Sequence, residues 1–310
     1  MKLHTVIAYP REYKETEKYT IVMDRSPYGS TGLELINDIF LPFGFITVGQ
    51  DMRGTSQSEG NFTIWHSDAD DSFDAGNWLT AQPYSNGKIF TFGASADGLA
   101  AFRTPENQPS WLKASYFIWS SSIAYDLIFP RGAYLSALAD MWIRSTVPDQ
   151  ADECLYTLAE NEAKTSWWDA LELSGKYYKV DAPSAFWAGW YDIFLLGNLA
   201  AYDGYNTQSN TDVRYTSQIL VDPLGHCQGA ADYFKQDLIA GRTLLGLGQL
   251  LQTFGIRPMY RQNIKNVTFY VMSSNDDAGL KAAGYWTSLE RFPAHTQTPL
   301  YLQADRTLSF

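Results

Sequence analysis

Apolar residues along this chain gather into short continuous runs, separated by polar stretches that carry its glycines and prolines. Seven runs read as strands: YTIVMD (19–24), FITVGQD (45–51), KIFTFG (88–93), SYFIWS (115–120), SAFWAGW (184–190), SQILVD (217–222) and VTFYVMS (267–273). Unbroken apolar runs of this length, without strict alternation, suit strands buried on both faces, as in a parallel sheet covered by helices. Helices are predicted over 70–81, 97–102, 195–202 and 230–254; the last sets Leu238, Leu244, Leu245, Leu247, Leu250 and Leu251 mostly on one stripe. Strands alternating with helices predict an α/β fold with a mostly parallel central sheet.

Between 121 and 181 the pattern changes: strand-like runs thin out, and aromatic-charged stretches such as ADMWIRS and KTSWWDALEL take their place. This region is expected to be an inserted helical cap, dividing the core into a first part over 1–120 and a second over 182–290. The last residues, 291–310, contain the strand-like TPLYL and then stop. A lone strand cannot bury its apolar face, so this segment is expected to be the start of a truncated C-terminal β-domain.

Composition adds limits. The 310 residues are 45% hydrophobic and 18% charged, with 10 Trp, 20 Tyr and 17 Phe, which describes a packed globular chain. A formal net charge of -11, with no basic cluster to offset it, argues against nucleic acid as a partner. Cys154 and Cys227 form no CxxC pair and read as two separate free thiols. No apolar run approaches the roughly 20 residues that span a bilayer, and MKLHTVIAYPREYKE has no secretory apolar core. No membrane association and a default cytoplasmic location are therefore expected. The sequons at Asn61 and Asn266 read as chance matches.

Candidate chemistry centres on TFGASADGLAAF. Strand KIFTFG runs into Ser95 and then a helical LAAF, the strand–turn–helix context of a nucleophile elbow. The amide of Ala96 and the helix N-terminus would then face a developing oxyanion. The spacing is GxSxxG, and alone it weighs no more than a glycine turn. Among the histidines, His226 follows strand SQILVD in the glycine-rich loop VDPLGHCQG, where a base belongs, whereas His4, His66 and His295 read as surface residues. Asp192 follows SAFWAGW and lies between Ser95 and His226, giving the order Ser, Asp, His that such folds use. Asp97, Asp181 and Asp222 compete with it but read better as capping and turn residues. Pro27 and Gly29 fix a turn around Tyr28, whose hydroxyl is a candidate second oxyanion donor. No Walker loop, HExxH, EF-hand or GxGxxG motif occurs, and the Asp68–Asp71 run reads as a solvated helix start. No cofactor or metal is expected.

Five ordered stretches, SPYGS, QDMRGTSQSEGNF, WLTAQPYSNGKIFTFGAS, APSAFWAGWYDIF and DPLGHCQG, resemble the cocaine esterase and X-Pro dipeptidyl-peptidase group of serine hydrolases. That group also includes α-amino-acid ester hydrolases and glutaryl acylases. The resemblance implies an α/β-hydrolase fold with Ser95 as nucleophile, Asp192 as orienting acid and His226 as base. It further implies an oxyanion hole from the Tyr28 hydroxyl and the Ala96 amide, and a structural role for Asp51, Arg53 and Gly54. Three departures stand out. Ala96 replaces the usual aromatic after the serine, Asp222-Pro223-Leu224 replaces Gly-Pro-Trp before the histidine, and the family's C-terminal jelly-roll domain is expected to be absent or truncated. The chain is also expected to start late, after a strand and turn that the family usually carries.

The expected function is hydrolysis of an ester, amide or X-Pro peptide bond in a small-molecule or short-peptide substrate through an acyl-enzyme. The alternative is a catalytically inactive scaffold that serves as a binding module. Self-association, or pairing with a missing β-domain, is a further expectation for partners.

Overall fold

Each of the seven apolar runs becomes a strand of one nine-stranded sheet. The computed structural model describes residues 1–30, 33–226, 236–256, 265–272, 284–293, 301–304 and 308–309. Strands β1 (Thr5–Ala8), β2 (Tyr19–Ser26), β3 (Ile46–Asp51), β4 (Ser85–Ala94), β5 (Leu112–Ile118), β6 (Ser184–Tyr191), β7 (Gln218–Gly225), β8 (Val267–Val271) and β9 (Tyr285–Leu289) stand in the order 1-3-2-4-5-6-7-8-9. Every pairing from β3 across to β8 is parallel.

Alternate residues of the central strands feed opposite faces. Ile21 and Met23 join one apolar cluster with Leu79, while Val22 between them joins Ile36, Phe40, Leu250 and Phe254 on the other side. In the same way Phe117 and Phe186 pack with Phe102 and Tyr205, whereas Tyr116 and Ala185 face Leu250. Helices α1 (Leu33–Phe40) and α9 (Gln236–Thr253) therefore cover one face. Helices α2 (Asp68–Thr80), α3 (Ser95–Arg103) and α8 (Leu195–Thr207) cover the other. Between β5 and β6 the chain forms α4 (Tyr125–Ile128), α5 (Ser136–Thr146), α6 (Ala151–Glu160) and α7 (Ser166–Asp169). Ala139, Ile143, Leu158 and Trp168 from this segment close over Phe62, Ile64 and Ala100 as one cluster.

The two edge strands were not foreseen. β1 pairs antiparallel with β3 and β9 antiparallel with β8, and both are short and partly exposed. Helix α1 also escaped the sequence reading. The predicted helix over 230–254 is seen from Gln236, and its first six residues lie outside the described part, as do Cys227 and His295. Of TPLYL, Tyr301–Leu302 pairs antiparallel with Leu308–Ser309, and 298–300 lie outside the described residues.

The Asp68–Asp71 run is not a solvated helix start. Asp68 and Asp71 are buried, and Arg25 Nη1 donates to Asp68 Oδ1 at 2.7 Å while Arg53 Nε donates to Asp71 Oδ2 at 3.0 Å. Two arginines from the sheet side supply the partners that make burial of these carboxylates tolerable. His4 is likewise no free surface residue, since its Nδ1 lies 3.1 Å from Asp51 Oδ2. Asp51 is fully buried and also accepts from the Gln57 amide at 3.0 Å.

Candidate active site

In an open α/β sheet, the carboxyl ends of the strands line the crevice in which ligands bind. Here β4 ends at Ala94 and leads into Ser95, β6 ends at Tyr191 and leads into Asp192, and β7 ends at Gly225 and leads into His226. The pairing of Tyr191 with Gly225 across β6 and β7 sets Asp192 and His226 side by side as the strands run out.

Ser95 has φ +56°, a left-handed conformation that a non-glycine residue adopts only where the surroundings enforce it. Its neighbours explain the spacing of the two glycines. A Cβ on Gly93 would lie 2.6 Å from the carbonyl of Asp97, so the turn between strand and helix closes only over a bare Cα. A Cβ on Gly98 would lie 2.4 Å from Ser120 Cβ. That gap lets Ser120 reach the elbow, where its Oγ donates to the Ser95 carbonyl at 2.8 Å. Because the peptide unit is planar, fixing the Ser95 carbonyl also fixes the Ala96 N–H at the other end of that unit.

Ser95 Oγ lies 2.8 Å from His226 Nε2, and His226 Nδ1 lies 3.0 Å from Asp192 Oδ2. An ionised carboxylate can only accept, so Nδ1 carries the proton and Nε2 is left to accept from the serine hydroxyl. Asp192 is held in turn, its Oδ1 accepting from the Phe194 amide at 2.7 Å, and its side chain is fully buried. The Phe194 ring packs against the imidazole with centroids 4.9 Å apart.

On the opposite side Tyr28 follows β2, in a turn where Gly29 takes φ +92° and a Cβ there would strike Ser56 Oγ at 2.7 Å. Tyr28, Ser95, Ala96 and His226 line one cavity of about 490 Å³. Its remaining walls come mostly from apolar side chains: Phe62, Ile64 and Trp65 before α2, Leu99 of α3, and Leu127, Leu138, Trp142 and Ile143 of α4 and α5. Among the described residues lining it, only Tyr28 and His226 are titratable. The structure thus brings together all five sequence-predicted site residues: four at the cavity, and Asp192 behind the imidazole.

Two other acids take roles beyond those expected. Asp222 makes the expected turn, accepting from the Leu224 amide at 2.9 Å, but its other oxygen accepts from Trp187 Nε1 at 2.8 Å and Arg242 Nε at 2.6 Å. The Arg242 guanidinium also lies 4.8 Å from the Trp119 ring, which flanks His226. The charge that replaces glycine before the histidine loop is thereby matched by a cation from α9. Asp97 is not a cap: α3 starts at Ser95, after Ala94. Its carboxyl hydrogen-bonds to Ser26, and burial pushes it up to about 7. Asp24, beside it on β2, is raised well above the carboxylate range by burial and by the charge of Asp97.

His66 is no surface residue either. Its ring packs at a tilt against Trp167 with centroids 4.5 Å apart, and burial, aided by Arg103 and Lys176, lowers its pKa to about 4. Asp181, by contrast, is exposed and lies just before β6. Sequence reasoning missed Ser120, Trp65, Trp142 and Arg242. Each reaches the site from a distant part of the chain, and only the serine run after β5 gave a local signal.

Residues 1–153 match the model of the family described as X-Pro dipeptidyl-peptidase (S15 family). Over that stretch, just under half of the chain, the sequence is similar to the S15 family. A Mycobacterium bovis protein named as a serine esterase is 30% identical over 139 residues, 44% of this chain and 21% of its own length. A Streptomyces avermitilis protein named as an Xaa-Pro dipeptidyl-peptidase is 25% identical over 215 residues, 56% of this chain and 32% of the relative. The matched stretches therefore span a third or less of these relatives.

Solved structures match over nearly all of the chain. An α-amino acid ester hydrolase aligns with TM-score 0.69 and 20% identity, covering 99% of this chain and 60% of that one. An aminopeptidase from a marine sediment Thaumarchaeota archaeon gives 0.70, 20%, 99% and 60%. A CocE/NonD family hydrolase from Staphylococcus aureus gives 0.68 and 17%, covering 98% and 56%. At these identities they establish the α/β-hydrolase fold expected from the sequence.

Proposed function

We propose that the chain is a serine hydrolase acting through an acyl-enzyme, with Ser95 as nucleophile, His226 as general base and Asp192 as its orienting acid. The observation that carries this reading is the continuous hydrogen-bonded chain from Ser95 Oγ through His226 to Asp192, set on a left-handed serine at a strand end. His226 Nε2 takes the hydroxyl proton as Ser95 Oγ attacks the substrate carbonyl. The tetrahedral oxyanion falls between the Ala96 N–H and the Tyr28 hydroxyl. The imidazolium returns its proton to the leaving oxygen or nitrogen, leaving the acyl-enzyme. Water, deprotonated by His226, then attacks the acyl carbon, and Ser95 leaves with the proton.

Neutral esters fit best. The cavity beside Ser95 is walled by aromatic and aliphatic side chains, and an ammonium group buried there without a carboxylate would cost several kcal/mol. Residues 121–181, which supply much of that wall, act as a cap over the site.

Fluorophosphonate labelling of wild type and Ser95→Ala tests this, alongside turnover of a short-chain aryl ester and an aminoacyl-proline anilide. Ser95→Ala should abolish labelling and lower ester turnover by roughly 10⁴-fold or more. Absence of labelling in the wild type would favour an inert binding scaffold. Labelling that survives Ser95→Ala would move the nucleophile elsewhere, and preference for the anilide would make the protein a peptidase.

A further inference from the structure

Tyr28 OH meets an unusual neighbour. Trp142, from helix α5, points its indole Nε1 at the Tyr28 oxygen at 2.6 Å, with the two rings edge to face at 82°. An indole N–H can only donate, so the phenol oxygen must be the acceptor here, and its own proton is directed away from Trp142. A hydroxyl that accepts a hydrogen bond is polarised into a better donor.

Trp142 is itself fixed. Its ring stacks on Trp65 with centroids 5.0 Å apart and planes 23° from parallel. Trp65 in turn donates from Nε1 to the Ala96 carbonyl at 3.3 Å. The backbone that presents Trp65 is strained: Ile64 has φ +50° and Trp65 φ +62°, and a left-handed β-branched residue is a true outlier. Such strain persists where a structure over-determines it, and it gathers at functional sites.

We propose that Trp142 is a positioning residue for the hydrolytic reaction. Held flat on Trp65, it aims the Tyr28 hydroxyl at the oxyanion, so the stacked indole pair braces the tyrosine side of the oxyanion hole while walling the apolar cavity. This rests on the serine-hydrolase reading above, in which Tyr28 donates to the oxyanion. A substrate group packed on the indole faces presses on the same two residues that align Tyr28, so apolar esters are the substrates that profit from the brace.

A double-mutant cycle decides it. Trp142→Phe keeps a ring of similar shape but loses the N–H, and should lower kcat for an aryl ester about tenfold, with KM little changed, because one hydrogen bond that counts only in the transition state is weakened. Tyr28→Phe alone should lower kcat by roughly 10² to 10³. In the Tyr28→Phe background, Trp142→Phe should cost almost nothing more, whereas an unrelated loss would multiply through. Equal loss of kcat in both backgrounds, or unchanged kcat in Trp142→Phe with unaltered melting temperature, would overturn the proposal. Should Trp142→Phe fail to fold, Trp65→Phe provides the same cycle through the stack. Labelling of Ser95 in every variant shows that the nucleophile is intact, so loss of the brace is distinguished from failure of the serine-hydrolase reading.

Discussion

Gly98 carries a requirement that its own surroundings in sequence do not reveal. The glycines at 93 and 98 read as generic small residues around a serine, yet each is required by a different contact: Gly93 by the Asp97 backbone, Gly98 by the Ser120 side chain. The second contact comes from the end of β5, so no local motif could announce it. Gly98→Ala would put a methyl 2.4 Å from Ser120 Cβ and force that side chain off the Ser95 carbonyl. Overpacking of this kind costs about 1–3 kcal/mol of stability. With the Ala96 amide no longer held, kcat should fall by about tenfold or more, while Ser95→Ala remains the inactive reference. Stopped-flow ester hydrolysis and a thermal melt measure the two effects separately. Full kcat in a destabilised Gly98→Ala would show that the Ser120 contact serves only the fold. His66 and Asp97 were misread for the same reason: a residue's burial depends on what another element brings to it, such as Trp167 or Asp24.

At the scale of elements, strands buried on both faces were legible because their apolar runs are unbroken, and the edges β1 and β9 were not because they bury less. The junction of β2 and α3 was also hidden, and it holds Asp24 and Asp97 together beneath the serine turn. Both carboxyls are raised in the folded protein, Asp97 to about 7 and Asp24 well above its usual range. For a raised pKa the folded state binds the proton more tightly than the unfolded chain. The corresponding stability is complete below the ordinary carboxylate pKa, near 4, and is lost as pH rises through the folded value. The protein should therefore lose stability between about pH 4 and 7 through this pair. Asp97→Asn removes one ionisation and relieves Asp24 of a neighbouring charge, so urea midpoints across this range should fall less steeply than in wild type. Superimposable profiles for the two proteins would show that Asp97 does not titrate there.

The order of elements along the whole molecule made the site readable: serine, acid and histidine each follow a strand that ends on the same edge of the sheet. What the order did not convey is the chamber they open into, since its walls come from the loop before α2 and from α4 and α5, which pack together only in three dimensions. Phe62 and Ile64 meet Ala139, Ile143 and Leu158 in a single cluster, and the cavity of about 490 Å³ is left on the active-site side of that cluster. A space of that size accommodates a small-molecule group rather than a folded partner. Because its walls are apolar, each methylene that enters should stabilise the bound state by about 0.8 kcal/mol, or roughly fourfold in kcat/KM. Aryl esters lengthened from acetate through butyrate to hexanoate should therefore rise steeply in kcat/KM and then level off as the cavity fills. Replacing Ile143 by Asp would place a carboxylate in the wall and should reverse the preference, weakening the longer neutral esters most. A flat response to chain length in wild type would mean that the cavity lies off the path of the substrate, and that the selectivity of the site is set elsewhere.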